Sequence, residues 1–174
     1  MQGFELESDF RQKRGHKLSK SLKRVRAAIL DAGLSDTIRE TGQSTTAQMA
    51  ADELSCSIDQ IVKSIIFLGE ASGNCILFLT AGGNQVDSAK ASKLVGEPLG
   101  KANAGVIRKQ TGFAIGGVSP LGHINPTPAY FDPKLMEFEL IWGAAGTPRH
   151  VFSASPLEVL KFSNAQIAEF TPAR

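Results

Sequence analysis

The chain has 174 residues, 42% of them hydrophobic, and a net charge of only +2, so it is the size of one domain and can bury a core of its own. No apolar run reaches transmembrane length, and the N-terminus MQGFELESDFRQ lacks the charged-then-apolar order of a secretory leader, which argues against a membrane span or export. Cys56 and Cys75 lie far apart and form no metal-ligand pair; such sparse cysteine suits a reducing cytoplasm.

Charge is unevenly spread. From Arg11 to Arg26 there are eight basic residues and no acidic one, which leaves −6 for the remainder once they are subtracted from +2. Such a run attracts phosphates, nucleic acid included, but it is also what a solvated face carries, and alone it names no partner.

Residues 1–16 read as a basic N-terminal extension. From Lys17 the apolar residues Leu18, Leu22, Val25 and Ile29 recur at spacing 4, 3, 4 and predict an amphipathic helix ending near Gly33. Thr37–Glu40 is a short strand candidate, and Thr45 or Thr46 caps a second helix through about Leu54. Two β-branched and aromatic runs, Ile61–Leu68 and Cys75–Thr80, flank a Gly/Ser/Asn turn and predict a hairpin. Both faces of its first strand are apolar, which puts it inside a sheet or a closed barrel. Asp87 and Asn103 cap helices running to about Val95 and Gln110, with Gly112 closing the second. Short strands are predicted at Phe113–Ile115, Ala129–Asp132, Phe138–Trp142 and His150–Phe152, and Ser155-Pro156 opens a last helix. The order of elements gives a mixed α/β (α+β) fold with a largely antiparallel sheet, and 17–174 as one domain.

Common catalytic signatures are missing. The sequence has no G-x-x-x-x-G-K-[ST] and no H-E-x-x-H. Gly117-Val118-Ser119-Pro120-Leu121 has leucine where a nucleophile elbow needs glycine. His16, His123 and His150 are scattered, so neither a metal site nor a Ser-His-Asp triad is expected.

Two features stand out. Lys63 falls on the side of the apolar strand that carries Ile61, Ile65 and Phe67. An ammonium there either opens into a site that a polar ligand fills or snorkels to solvent from an edge. The second is Thr111-Gly112-Phe113-Ala114-Ile115-Gly116-Gly117-Val118-Ser119-Pro120-Leu121-Gly122-His123. Its glycines let the backbone approach a ligand, and aimed N–H groups can hold an oxyanion, although such a segment also serves as an ordinary turn.

Together the strand Ile61-Val62-Lys63-Ser64 and the loop Thr111–Gly122 resemble the YbaK / prolyl-tRNA-synthetase-associated-domain family of aminoacyl-tRNA editing domains. That family shares an apolar strand with a single lysine and a T-G-[FY]-x-x-G-G-[VI]-S-P-[FL]-G loop. Thr46–Ala51, Gly82–Asp87, Asp132 and Trp142–Gly146 match as well, and the resemblance spans about 18 to 170.

The resemblance implies a barrel-like mixed sheet and a hydrolase that acts in trans, in the cytoplasm, on the ester of a mischarged tRNA. The amino acid would be small (Cys, Ala or 2-aminobutyrate), on tRNA-Pro or a related tRNA, with prolyl-tRNA synthetase as one potential partner. No cofactor is implied. Lys63, Gly116 and Gly117 are the implied catalytic positions. Ser64, Ile65, Val118, Ser119, Pro120, Ala144, Ala145 and Gly146 are the implied pocket residues, and Ala144 replaces the Ser or His of some relatives. Lys20, Lys23 and Arg24 are candidates for gripping the tRNA backbone. The proposed reaction is attack by water, with the N–H groups of Gly116–Ser119 on the oxyanion and a ribose hydroxyl of the tRNA taking the proton, His123 being the rival base. The competing class is a nucleic-acid-binding regulator without catalysis, and a small-molecule sensor is a third.

Overall fold

The computed structural model describes residues 19–173; the 1–16 extension and the predicted helix start at Lys17 and Leu18 lie outside them. The first helix, α1 (Lys20–Asp31), begins where the Ser19 hydroxyl accepts the Leu22 N–H at 3.0 Å, which satisfies an N–H that the helix cannot bond internally. Its stripe Leu22, Val25 and Ile29 is buried as the 3–4 spacing requires. After the short β1 (Arg39–Glu40), Thr46 caps α2 (Ala47–Leu54), and a 3-10 turn (Ile58–Gln60) leads into β2 (Val62–Gly69).

The hairpin partner is β3 (Cys75–Ala81), followed by α3 (Ser88–Val95), β4 (Leu99–Lys101) and α4 (Ala104–Thr111). The rest comprises β5 (Ala129–Phe131), a 3-10 turn (Pro133–Glu137), β6 (Ile141–Ala144), β7 (His150–Ala154), α5 (Pro156–Ser163) and β8 (Gln166–Ile167).

Strands β4-β2-β3-β5-β8 form a five-stranded sheet and β1-β7-β6 a three-stranded one. Four of the six pairings are antiparallel, whereas β3–β5 and β5–β8 run parallel. The sheets meet at a single parallel bridge between Ile61 and Trp142, so the barrel-like shape read from the sequence takes the form of two joined sheets.

The period-2 alternation of β3 divides the core. Leu77, Leu79 and Ala81 join Val62, α1, α4 and α5 on one face, while Ile76 and Phe78 pack with Ala91 and Phe170 on the other. With β4 on one side and β3 on the other, β2 is an interior strand, as its two apolar faces predict.

Two predicted strands are corrected. Residues 113–115 pair with no strand: Gly112 (φ 83°) and Gly116 (φ 86°) interrupt the chain in the left-handed region. Phe113 there is fully buried, whereas Ile115 is 59% exposed on a turn. The strand predicted at 138–142 begins only at Ile141, because Asp132 and Pro133 start a 3-10 turn that carries the chain through Glu137.

Candidate active site

A cavity of about 210 Å³ opens between the two sheets. Lys63 and Ser64 of β2 form one wall, and Gly116 and Val118 of the glycine loop form another. Trp142, Gly143 and Ala144 of β6 close the side opposite, beside Thr147 and His150. The first residues of α2, Thr46 and Ala47, stand at the rim with Ser44 and Thr45. The cavity is thus small, with hydroxyls, Lys63 and His150 set among apolar residues such as Ile61, Val62 and Trp142.

Glycine is required where the two wall loops touch. A Cβ on Gly117 would fall 2.8 Å from Thr147 Cα, and one on Gly146 (φ 96°) would fall 2.7 Å from the Ser21 carbonyl carbon. Such contacts are shorter than packed atoms allow, so the two loops approach each other, and Gly146 approaches α1, this closely only without side chains. Pro120 lies against Gly143 in the same way, 3.2 Å from where a Cβ would sit.

Lys63 is half-buried and donates from Nζ to the carbonyl of Asn84. Burial lowers its pKa from the usual ammonium value, while Asp132 and Asp59 oppose that shift by charge. The Ser64 hydroxyl is buried with no hydrogen-bond partner among the described residues, which is costly unless something in the cavity pairs with it. In the glycine loop, the Gly117 N–H closes a turn onto the Ala114 carbonyl at 3.1 Å. The amides of Gly116, Val118 and Ser119 have no acceptor among the described residues.

Other residues marked in the sequence lie off the cavity. Gly117 and Pro120 stand behind the wall, and Ser119 and Ala145 are fully buried. Ile65 packs into the second core, beside Ile76 and Phe78. Gly146 faces α1 instead of the cavity.

His123 lines a separate cavity of about 330 Å³. Its Nε2 lies 2.6 Å from the Ser119 carbonyl, and Nδ1 lies 3.0 Å from the Thr127 hydroxyl. A carbonyl only accepts, so Nε2 carries the proton and Nδ1 accepts. Burial lowers the His123 pKa, opposed by the Ser119 bond and reinforced by the charge of Arg24. His123 therefore supports the loop from behind and is not placed as a base. The imidazole on the cavity wall is His150, its Nδ1 2.6 Å from the Thr147 hydroxyl. Sequence reading missed both; their signal was Thr147-Pro148-Arg149-His150, which directly follows the matched segment.

The three basic candidates on α1 differ in environment. Lys20 and Lys23 are exposed. Arg24 instead donates from Nε to the Gly122 carbonyl at 2.6 Å and from Nη2 to the Gly112 carbonyl at 2.8 Å, and its guanidinium stacks 4.7 Å from the Phe113 ring. Its donors therefore hold both ends of the glycine loop. Among the described residues no three His, Cys, Asp or Glu side chains cluster as metal ligands, and no helix is long and apolar enough to cross a membrane.

Residues 41–162 match the family model of the aminoacyl-tRNA editing domain. A solved structure described as a "putative trans-editing enzyme for prolyl tRNA synthetase" superposes with a TM-score of 0.82 at 44% identity, covering 90% of this chain and 99% of that one. The chain is 29% identical over 148 residues to the uncharacterized protein YwhH of Bacillus subtilis, covering 84% of this chain and 94% of the relative. It is 24% identical over 127 residues to the "Putative Cys-tRNA(Pro)/Cys-tRNA(Cys) deacylase EbsC" of Enterococcus faecalis, covering 72% and 77%. The chain belongs to the aminoacyl-tRNA editing domain family. Its substrate class is accordingly an aminoacyl-tRNA, and its reaction class is removal of the amino acid, a hydrolysis.

Proposed function

We propose that this protein is a trans-acting deacylase that hydrolyses the ester of a tRNA mischarged with a small amino acid such as Cys, Ala or 2-aminobutyrate, on tRNA-Pro or a related tRNA. The carrying observation is that Lys63 and the glycine loop, far apart in sequence, face one cavity of about 210 Å³. That is smaller than the roughly 300–1,000 Å³ of sites for drug-sized ligands. A synthetase rejects an amino acid smaller by one methylene by only about 1–3 kcal/mol, so a second, size-limited site is needed.

In this reading the aminoacyl group enters the cavity and its carbonyl faces the loop. Water attacks, and the N–H groups of Gly116 and Val118 stabilise the oxyanion that forms as the C=O bond becomes single. The Lys63 ammonium holds the terminal adenosine or its phosphate by charge and hydrogen bonding. A ribose hydroxyl of the tRNA relays the proton, taking one from the attacking water while giving its own to the neighbouring ribose oxygen, which leaves as a hydroxyl when the ester C–O bond breaks and frees the amino acid. His150 is the protein base that could replace the hydroxyl in this step. Residues 17–174 act as one deacylase unit in the cytoplasm, with prolyl-tRNA synthetase as the candidate docking partner.

The test is a deacylation panel of Cys-, Ala-, Ser-, 2-aminobutyryl- and Pro-tRNA with wild-type protein and Lys63→Ala. The expected outcome is turnover of one small aminoacyl-tRNA that the variant loses. Binding of tRNA without turnover of any of the five would instead indicate a non-catalytic nucleic-acid-binding regulator.

A further inference from the structure

Lys63 reaches out of β2 to the carbonyl of Asn84, its one protein acceptor among the described residues. Asn84 closes a tight turn after β3, its N–H bonded to the Ala81 carbonyl at 2.9 Å. Carboxylates pin this turn from two sides. Asp59 Oδ1, on the 3-10 turn before β2, accepts the Gly83 N–H at 2.9 Å. Asp132 Oδ2, just after β5, accepts Asn84 Nδ2–H at 2.8 Å and the Ala81 N–H at 3.1 Å. The other oxygen of Asp132 accepts the Lys134 N–H at 2.9 Å, and the residue is only 2% exposed.

The turn fits so closely that a Cβ on Gly82 would lie 2.2 Å from the Ile58 carbonyl oxygen, and one on Gly83 2.6 Å from Asp59 Oδ1. Gly82 and Gly83 are therefore glycines because the turn is pressed against the segment that carries Asp59.

We propose that Asp59 and Asp132 are positioning residues of the active site: by fixing the Gly82–Asn84 turn from both sides, they set the place of the acceptor to which the Lys63 ammonium is tethered. This rests on the reading of Lys63 as the group that holds the tRNA end. A lysine stem has four rotatable carbons and its ammonium three donors; anchoring one donor on a rigid carbonyl restricts the head and leaves two donors for substrate oxygens. The two carboxylates also supply negative charge that favours the ammonium over the neutral amine. His150 is the other titratable group on the cavity wall.

The experiment uses Asp59→Ala, Asp59→Asn, Asp132→Asn and Asn84→Ala. Asp59→Asn keeps an oxygen for the Gly83 N–H and removes only the charge. Asn84→Ala keeps the carbonyl and removes the link to Asp132. Two readouts are taken on each folded variant: kcat and KM for the aminoacyl-tRNA that the wild type turns over, and the Nζ titration of Lys63 by 15N NMR, assigned with Lys63→Arg. Asp59→Ala and Asn84→Ala are expected to lower kcat about tenfold or more, with KM changed less than about threefold, as loss of positioning alone would do. Asp59→Asn should lower the Lys63 midpoint with a smaller fall in kcat.

Folded variants with wild-type kcat and an unmoved Lys63 midpoint would overturn the inference. If Asp132→Asn does not fold, Asp59 and Asn84 carry the test. Should the wild type deacylate nothing, the proposed function fails, while a Lys63 resonance that responds to Asp59 and Asn84 still supports the tether.

Discussion

At the residue scale, His123 shows how a group can sit next to the glycine loop and serve to shape it. It is half-buried and bonded at both ring nitrogens, to the Ser119 carbonyl and the Thr127 hydroxyl. Its folded pKa lies below the ordinary histidine value, so the unfolded chain binds a proton that the folded chain resists. Stability must then fall as pH drops through the unfolded value of about 6.5, and the loss grows until the folded pKa is reached. Urea midpoints measured from pH 7.5 to 5 should decline more steeply for wild type than for His123→Gln. Equal slopes would show that this imidazole does not carry the dependence. Lys63 and His123 were both visible in the sequence for a physical reason, since a charge in an apolar strand and a histidine ending a glycine loop break local pattern. Asp59 and Asn84 break none, because their role exists only once the turn after β3 meets the 3-10 turn before β2.

At the scale of elements, α1 joins the two walls of the cavity. Ser21 backs Gly146, the helix backbone at Val25 lies against Gly122, and Arg24 clips Gly112 and Gly122. Basic residues one turn apart should consequently behave differently. Replacing Lys20 and Lys23 with Gln should leave stability unchanged and weaken tRNA binding, each lowering the salt slope by about one where it meets a phosphate. Arg24→Ala should destabilise by about 2 kcal/mol, for loss of charged hydrogen bonds to two half-buried carbonyls, which is a fall in Tm of about 4–8 °C for a domain of this size. Thermal melts and filter binding at two salt concentrations separate the two behaviours; a stable Arg24→Ala would contradict the clip.

The same scale explains what could be read in advance. Helices announced themselves through caps and periodic burial, Thr46, Asp87, Asn103 and Ser155 all serving as N-caps. The β2–β3 hairpin was legible because two long β-branched runs flank a turn. β4 and β8, with three and two residues, are too short to show a period. The parallel pairing of β5 with β3 and β8 is set by tertiary contact and leaves no local mark. The false strand at 113–115 came from reading Phe113-Ala114-Ile115 as a pleat, when the flanking glycines at positive φ turn the chain.

At the scale of the whole molecule, the site is a seam. The five-stranded sheet brings Lys63 and Ser64, the three-stranded sheet brings Ala144 and His150, and the glycine loop closes the gap under the hold of α1. A cavity assembled this way is small, and in the proposed reading it selects by size. Trp142 and Ala144 share a face of β6, so a bulky side chain at 144 would fill the cavity without entering the core.

The most direct measurement is single-turnover release of the amino acid from the small aminoacyl-tRNA that wild type hydrolyses, compared with Ala144→Phe and Lys63→Ala. The account predicts that both variants stay folded and lose about a hundredfold or more in rate. A protein with its cavity filled by Ala144→Phe that still hydrolyses the ester at the wild-type rate would place the chemistry elsewhere and contradict the account.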